Sequence, residues 1–249
     1  MELVVTEDYA ALSRIGAQWL ARGIIAEPDA ALVLATGNTP MGMYQELAEL
    51  QRREGLDVSR LRIFQLDAYT GLGRDDPRSL YGWMARAFLE PLGVAEAQVA
   101  RLAGDALDLE AACRAYDAAV AAAGGFALSV LGLGPNGHLG FNEPPSAPTA
   151  PTRVVTLTEE SIESNAGYWG GRDRVPRQAL TAGMAPLLAA RRTLLVVSGA
   201  HKRDILQRTV LGPMMPDVPA SYLQQAANVT VLADRAAWPF PIPDELVPR

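Results

Sequence analysis

The chain has 249 residues, 49% of them hydrophobic and 20% charged, which is typical of a globular protein and excludes a disordered one. A formal net charge of −6 argues against nucleic-acid binding, which usually needs a basic surface, and a single cysteine excludes an intrachain disulfide and a cysteine-based zinc site. The N-terminus lacks the pattern of a signal peptide, and no run approaches the ~18 apolar residues of a transmembrane helix, so we expect a cytoplasmic protein that does not contact membranes.

Short apolar runs alternate with stretches of helical periodicity along the chain. Apolar runs between turn residues predict buried strands, and a spacing of three to four predicts helices. The predicted strands are 2–6, 30–35, 61–66, 126–131, 153–157, 193–197 and 228–232. The predicted helices are 8–22, 41–50, 80–89, 106–123, 178–188 and 204–210. The alternation predicts an α/β fold with a doubly wound, mostly parallel sheet and helices on both faces, Rossmann-like, in a single domain over 1–249.

Capping residues refine two helix boundaries. Thr39 fits an N-cap and Pro40 the first helical position that follows it. Thr158 fits the N-cap of a further helix. The glycine-rich stretch 165–176 is typical of mobile loops that close over sites, so we predict a lid around 158–188.

The first polar strand end is Thr36, Gly37, Asn38 and Thr39, between strand 30–35 and helix 41–50. A glycine in a turn lets backbone N–H groups approach an anion, and a helix N-terminus adds partial positive charge. The segment lacks the Gly-Lys-Ser/Thr ending of a nucleotide loop. It therefore indicates a sugar phosphate or another small phosphate, with an ordinary helix cap as the equally supported alternative for this loop alone.

Three further strand ends carry titratable groups. Asp67 follows strand 61–66 and suits a general base, although turn residues of this type are common. Lys202 follows strand 193–197 and suits a phosphate, although most lysines are solvated surface groups. His138 and Glu143 lie in the glycine-rich loop after strand 126–131, where a carboxylate could orient an imidazole for proton transfer; a plain βα turn is the alternative. No metal-ligand spacing is present.

Three blocks of the chain resemble the signatures of the glucosamine-6-phosphate deaminase (isomerase) family. They are Thr36-Gly-Asn-Thr-Pro-Met-Gly-Met-Tyr44, Leu66-Asp-Ala-Tyr-Thr-Gly-Leu72 and Gly134-Pro-Asn-Gly-His-Leu-Gly-Phe-Asn-Glu-Pro144. Later segments follow in the same order, so the resemblance spans nearly the whole chain. The first block is shared with 6-phosphogluconolactonases, whose histidine block typically continues Gly-His-Thr-Ala-Ser, unlike this one.

The resemblance implies hydrolytic deamination of an amino-sugar phosphate to a ketose phosphate and ammonia, without metal or organic cofactor. His138, supported by Glu143, would open the sugar ring, and Asp67 would move a proton from C2 to C1. Asn136 occupies a position that holds a carboxylate in many members. The phosphate would bind Thr36–Thr39 and Lys202.

The chain departs from the family pattern at several positions. Asp67-Ala-Tyr69 lacks a second carboxylate beside the base, and Gly167 stands where relatives carry a phosphate-binding arginine, for which Arg172 or Arg174 is the suggested substitute. Val155 replaces a basic position of regulated members, so an allosteric N-acetylglucosamine-6-phosphate site is not expected.

Some properties stay open. Glucosamine and galactosamine 6-phosphate are both candidate substrates, and a homo-oligomer is one option because relatives occur as monomers and as hexamers. Lactone hydrolysis and non-catalytic sugar-phosphate sensing are the alternative functions.

Overall fold

A computed structural model of the protein describes residues 1–248, and the predicted alternation of strands and helices is confirmed. The strands are β1 Glu2–Thr6, β2 Ala31–Leu34, β3 Arg62–Gln65, β4 Asp67–Tyr69, β5 Val99–Ala100, β6 Leu128–Gly132, β7 Arg153–Thr156, β8 Gln178–Thr181, β9 Arg192–Val197 and β10 Val229–Asp234. The helices are α1 Tyr9–Ala26, α2 Met41–Glu54, α3 Leu80–Met84, α4 Glu90–Leu92, α5 Leu109–Ala122, α6 Glu159–Trp169, α7 Met184–Leu188 and α8 Arg203–Leu211, with a π-helical turn at Ala85–Leu89 joining α3 to α4.

Seven strands form one parallel sheet in the order β1-β10-β9-β6-β2-β3-β5. From β2 the chain winds outward through β3 and β5, and from β6 it winds the opposite way through β9 and β10. The winding therefore reverses between β2 and β6. In open parallel sheets, ligands bind outside the carboxyl ends of the strands at this reversal.

Helices cover both faces of this sheet, as the doubly wound prediction requires. Alternate residues of β2 show the two layers, because Leu32 and Leu34 pack with α1 and α2 while Ala31 and Val33 pack with α5, α7 and α8. Burial on both faces explains why the central strands read as continuous apolar runs. Within residues 1–248, no helix has both the length and the apolar character needed to cross a membrane.

A second, three-stranded antiparallel sheet has the order β4-β8-β7 and corrects one prediction. Residues 178–181 form the central strand of this sheet, whereas a helix was predicted over 178–188; only 184–188 are helical. The range of the predicted lid, 158–188, contains α6, β8 and α7, and its movement stays a prediction.

The start of α2 differs by one residue from the capping prediction. Pro40 is the N-cap, with φ −80° and ψ −4°, and no side chain caps the helix. Thr39 is therefore outside the helix rather than its cap. By contrast, Thr158 caps α6 as predicted, because its side chain accepts a hydrogen bond from the backbone of Ser161.

Candidate active site

The four predicted polar strand ends lie on four adjacent strands. In the order β9-β6-β2-β3, the following loops carry Lys202, the His138 loop, Thr36–Thr39 and Asp67. The two inner loops flank the reversal between β2 and β6. The sheet thus brings residues from 36 to 202 in the chain to a single edge.

The loop Thr36–Thr39 after β2, hereafter the phosphate loop, presents uncommitted backbone donors. None of its four N–H groups donates to an acceptor within residues 1–248. Gly37 has φ +116°, a conformation that only glycine adopts without strain. Together with the N-terminal end of α2, these N–H groups form an arrangement suited to a phosphate.

Tyr9 on α1 stabilises the phosphate loop through hydrogen bonds of its hydroxyl group. Its hydroxyl lies 3.1 Å from the carbonyl oxygens of both Asn38 and Thr39, and it accepts a hydrogen bond from the N–H of Gly42 at 2.9 Å. The sequence did not indicate this role, because Tyr9 reads there only as part of an amphipathic helix.

Asp67 is a buried carboxylate at the seam between the two sheets. It is 7% exposed, and burial raises its pKa to about 7, against the smaller lowering effect of a 3.4 Å hydrogen bond from Thr36. The side chain of Gln65 donates to the carbonyl oxygen of Asp67 at 2.7 Å and fixes the backbone there. A carboxylate of this kind can take up a proton near neutral pH.

His138 folds back onto its own loop. A Cβ atom on Gly134 would lie 2.2 Å from imidazole atoms of His138, so only glycine leaves room for the ring. Burial lowers the pKa of His138 to about 4; the negative charge of Glu143 opposes this shift, and the positive charge of Lys202 adds to it. Nδ1 of His138 is buried and has no hydrogen-bond partner within residues 1–248. The imidazole is therefore neutral at pH 7.

Glu143 does not orient His138 as predicted, and this is a correction. Its carboxylate accepts hydrogen bonds from the backbone N–H of Thr158 at 2.9 Å, from the hydroxyl of Thr158 and from the hydroxyl of Ser161. A helix N-terminus favours a negative charge and offers free donors, which explains the preference. Glu143 thus ties the His138 loop to the start of α6 and acts on His138 through charge alone.

Asn136 makes a second link between the His138 loop and α6. Its amide nitrogen donates to Glu160 at 3.1 Å, and its amide oxygen accepts from the backbone of His138 at 3.3 Å. Glu160 also acts on Lys202, because its charge opposes the lowering of the Lys202 pKa by burial. An acidic side chain on α6 therefore contacts Asn136 and acts on Lys202 through its charge.

Asp234 at the end of β10 holds the turn that leads to Lys202. It is 4% exposed and accepts hydrogen bonds from the hydroxyl of Ser198 and from the backbone of Gly199 at 3.1 Å and Ala237 at 2.7 Å. No role was predicted for Asp234 from the sequence. Its position at a strand end, like that of Asp67, is the signal that could have identified it.

One cavity of the surface takes no part in this arrangement. A cavity of about 390 Å³ lies between the 74–77 loop and the π-helical turn, and none of the predicted site residues lines it. Its lining pairs opposite charges, such as Arg74 with Glu96. Among residues 1–248, no group of three or more His, Cys, Asp or Glu side chains is placed to share a metal ion.

Residues 7–232 match the sequence profile of the family described as glucosamine-6-phosphate isomerases/6-phosphogluconolactonase. The chain belongs to this family. A glucosamine-6-phosphate deaminase of Halothermothrix orenii is 40% identical over 237 residues, which cover 95% of this chain and 98% of the relative. One of Thermoanaerobacter pseudethanolicus is 37% identical over 245 residues, which cover 98% of this chain and 96% of the relative. The predicted resemblance is confirmed.

Solved structures of family members share the fold. A monomeric glucosamine-6-phosphate deaminase has a TM-score of 0.93 and 39% identity, over 95% of this chain and 98% of that protein. The 6-phosphogluconolactonase of Trypanosoma brucei has a TM-score of 0.76 over 95% of this chain and 97% of that protein, with only 19% identity. The second likeness concerns the fold alone.

Proposed function

We propose that the protein deaminates a hexosamine 6-phosphate, consuming water and yielding a ketose 6-phosphate and ammonia. Relatives that are 35–40% identical over most of the chain are glucosamine-6-phosphate deaminases. The observation that carries the proposal is the buried carboxylate of Asp67 beside the phosphate loop. Its pKa of about 7 suits a base that must remove a proton from carbon, and lactone hydrolysis has no step that uses one.

Ring opening is the first step, and His138 carries it out. The neutral imidazole takes the proton from the O1 hydroxyl of the sugar and delivers it to O5, and the bond between C1 and O5 breaks. The open-chain aldehyde results. A low pKa suits this step, because an imidazolium could not accept the O1 proton.

Isomerisation follows through Asp67. The carboxylate removes the C2 proton while the C1 oxygen takes a proton from solvent water, which gives a neutral enolamine. Asp67 returns its proton to C1, and C2 becomes an iminium carbon. Water adds to C2 and returns one proton to the solvent. The C2 hydroxyl then passes its proton to the amine nitrogen, the bond between C2 and nitrogen breaks, and ammonia leaves as the ketone forms. The phosphate loop and Lys202 hold the phosphate throughout, so that the sugar carbons keep their place beside both groups.

The test is release of ammonia and formation of fructose 6-phosphate from glucosamine 6-phosphate. We expect Asp67→Asn to lower kcat by about 10²–10⁴-fold while the affinity for fructose 6-phosphate stays within threefold. Asp117→Asn, which alters a half-buried carboxylate on α5, is the matched control and should keep normal turnover. Full activity of Asp67→Asn would show that another group is the base.

Assays also decide between the alternatives that the sequence left open. Lactone hydrolysis without ammonia release would favour the lactonase function, and tight sugar-phosphate binding without turnover would favour a sensing domain. Ammonia release from glucosamine, galactosamine and mannosamine 6-phosphates identifies the preferred epimer. A cytoplasmic location belongs to the same proposal, because charged sugar phosphates do not cross membranes unaided. The oligomeric state stays a prediction that sedimentation would test.

A further inference from the structure

An exposed aromatic side chain on α6 reaches the phosphate loop. Tyr168 is 63% exposed, yet its phenol oxygen lies 2.8 Å from the amide nitrogen of Asn38. Within residues 1–248 this is the one hydrogen bond between α6 and the phosphate loop. The contact therefore joins an exposed phenol of α6 to the loop that carries the uncommitted donors.

The direction of this hydrogen bond leaves a donor free. The amide of Asn38 donates, so the phenol oxygen of Tyr168 accepts, and a phenol also carries one proton of its own. That proton has no acceptor within residues 1–248. The phenol thus contacts a side chain of the phosphate loop, whose backbone N–H groups are also uncommitted. An anion bound at this loop would offer acceptors to these donors.

The neighbouring residues hold Tyr168 in place. Trp169 is buried, with its ring centroid 5.2 Å from that of Tyr69 and the guanidinium of Arg78 5.4 Å from its ring centre. The other end of α6 is fixed by its hydrogen bonds to Glu143. Helix α6 is thus anchored at both ends, and the position of the phenol follows from that of the helix.

We propose that Tyr168 is a phosphate-binding residue, which donates its phenolic hydrogen to a phosphate oxygen of the substrate while Asn38 holds the phenol oxygen. The inference rests on the proposed function for the presence of a sugar phosphate. Since the phosphate is remote from C1 and C2, Tyr168 adds binding that is equal in the ground state and the transition state. Its loss raises KM and leaves kcat nearly unchanged.

Binding of inorganic phosphate and of fructose 6-phosphate to the full chain tests the proposal without relying on catalysis. We expect Tyr168→Phe to weaken both ligands about 5- to 30-fold, measured by calorimetry or by ligand-dependent thermal shift. In the deamination assay KM should rise by a similar factor, with kcat within twofold. Tyr81→Phe, which removes a phenol hydroxyl from α3, is the matched control and should leave both affinities unchanged.

The outcomes separate this inference from the proposed function. If Tyr168→Phe binds both phosphates as the parent protein does, Tyr168 is not a phosphate ligand, whatever the enzyme catalyses. If kcat of Tyr168→Phe falls while its phosphate affinity is unchanged, the phenol serves only to hold α6 against Asn38. That result also overturns the proposal. If the parent protein releases no ammonia but binds phosphate through Tyr168, the proposed function fails and this inference stands.

Discussion

Burial shifts the pKa values of the two central titratable groups in opposite directions. It raises the pKa of Asp67 to about 7 and lowers that of His138 to about 4. In both cases the low-polarity surroundings favour the neutral form. One environment therefore supplies a neutral imidazole and a carboxylate that ionises near physiological pH.

The first prediction at this scale concerns the pH dependence of kcat. In its proposed role as a base, Asp67 is active only when ionised, so kcat should fall about tenfold per pH unit below pH ~7 and level off above pH ~8. His138 does not limit this range, because it becomes charged only near pH 4. Saturating substrate in the assay from pH 5 to 9 removes the effect of phosphate ionisation on binding. A kcat that is constant from pH 5.5 to 8 would contradict the raised pKa.

Individual residues show which parts of the candidate site could be predicted from the sequence. Asp67, His138, Lys202 and the phosphate loop could be identified because each follows a predicted strand, and strand ends converge in a parallel sheet. Tyr9 and Tyr168 could not, because each contacts Asn38 across a sequence separation of 29 or 130 residues. The hydrogen-bond partner of Glu143 was predicted wrongly. The motif that contains Glu143 does not include Thr158 and Ser161, which are the donors at the start of α6 that bind its carboxylate.

At the scale of elements, helix α6 is the part of the site most open to experiment. It contacts the His138 loop through Glu143 and Asn136 and the phosphate loop through Tyr168. Its inner face packs on the second sheet, where Ile162 and Trp169 join Tyr69 in an apolar cluster. The helix lies within the predicted lid 158–188, whose movement stays a prediction.

We predict that Glu143→Gln loosens α6. Loss of the negative charge from the helix N-terminus should lower the free energy of unfolding by about 1–2 kcal/mol and speed amide exchange across Ile162–Trp169. Hydrogen–deuterium exchange with mass spectrometry measures this directly. Glu163→Gln, on the exposed side of the same helix, should exchange as the parent does. Unchanged protection in Glu143→Gln would mean that packing alone holds the helix.

The second sheet shows why some elements could not be predicted. Strand β4 has only three residues, and β8 lies in a stretch whose alanine and leucine content favours a helix. What makes 178–181 a strand is its pairing with β4 and β7 on both sides, which is a tertiary effect. By contrast, six of the seven strands of the parallel sheet were predicted, because the central ones are continuous apolar runs buried on both faces. The edge strand β5 was not predicted, since it has only two residues.

At the scale of the whole molecule, the candidate site forms only when the strands of the sheet have come together. Its groups come from four adjacent strands that belong to separate βα units, and α6 adds contacts from a fifth segment. The order of the strands was not predicted, but their shared direction was, and this was sufficient to place the groups on one edge. The chain's fold and family were accordingly predictable, whereas the contacts that tune the site were not.

The pairing of β1 has a consequence for how the protein is made. Among residues 1–248, β1 has β10 as its single partner in the sheet, and the paired residues Glu2 and Thr230 are 228 positions apart. During translation β1 is therefore made long before the strand with which it pairs. We expect the amides of residues 2–6 to be among the last protected in pulsed hydrogen exchange during refolding; early protection there would point to a temporary partner.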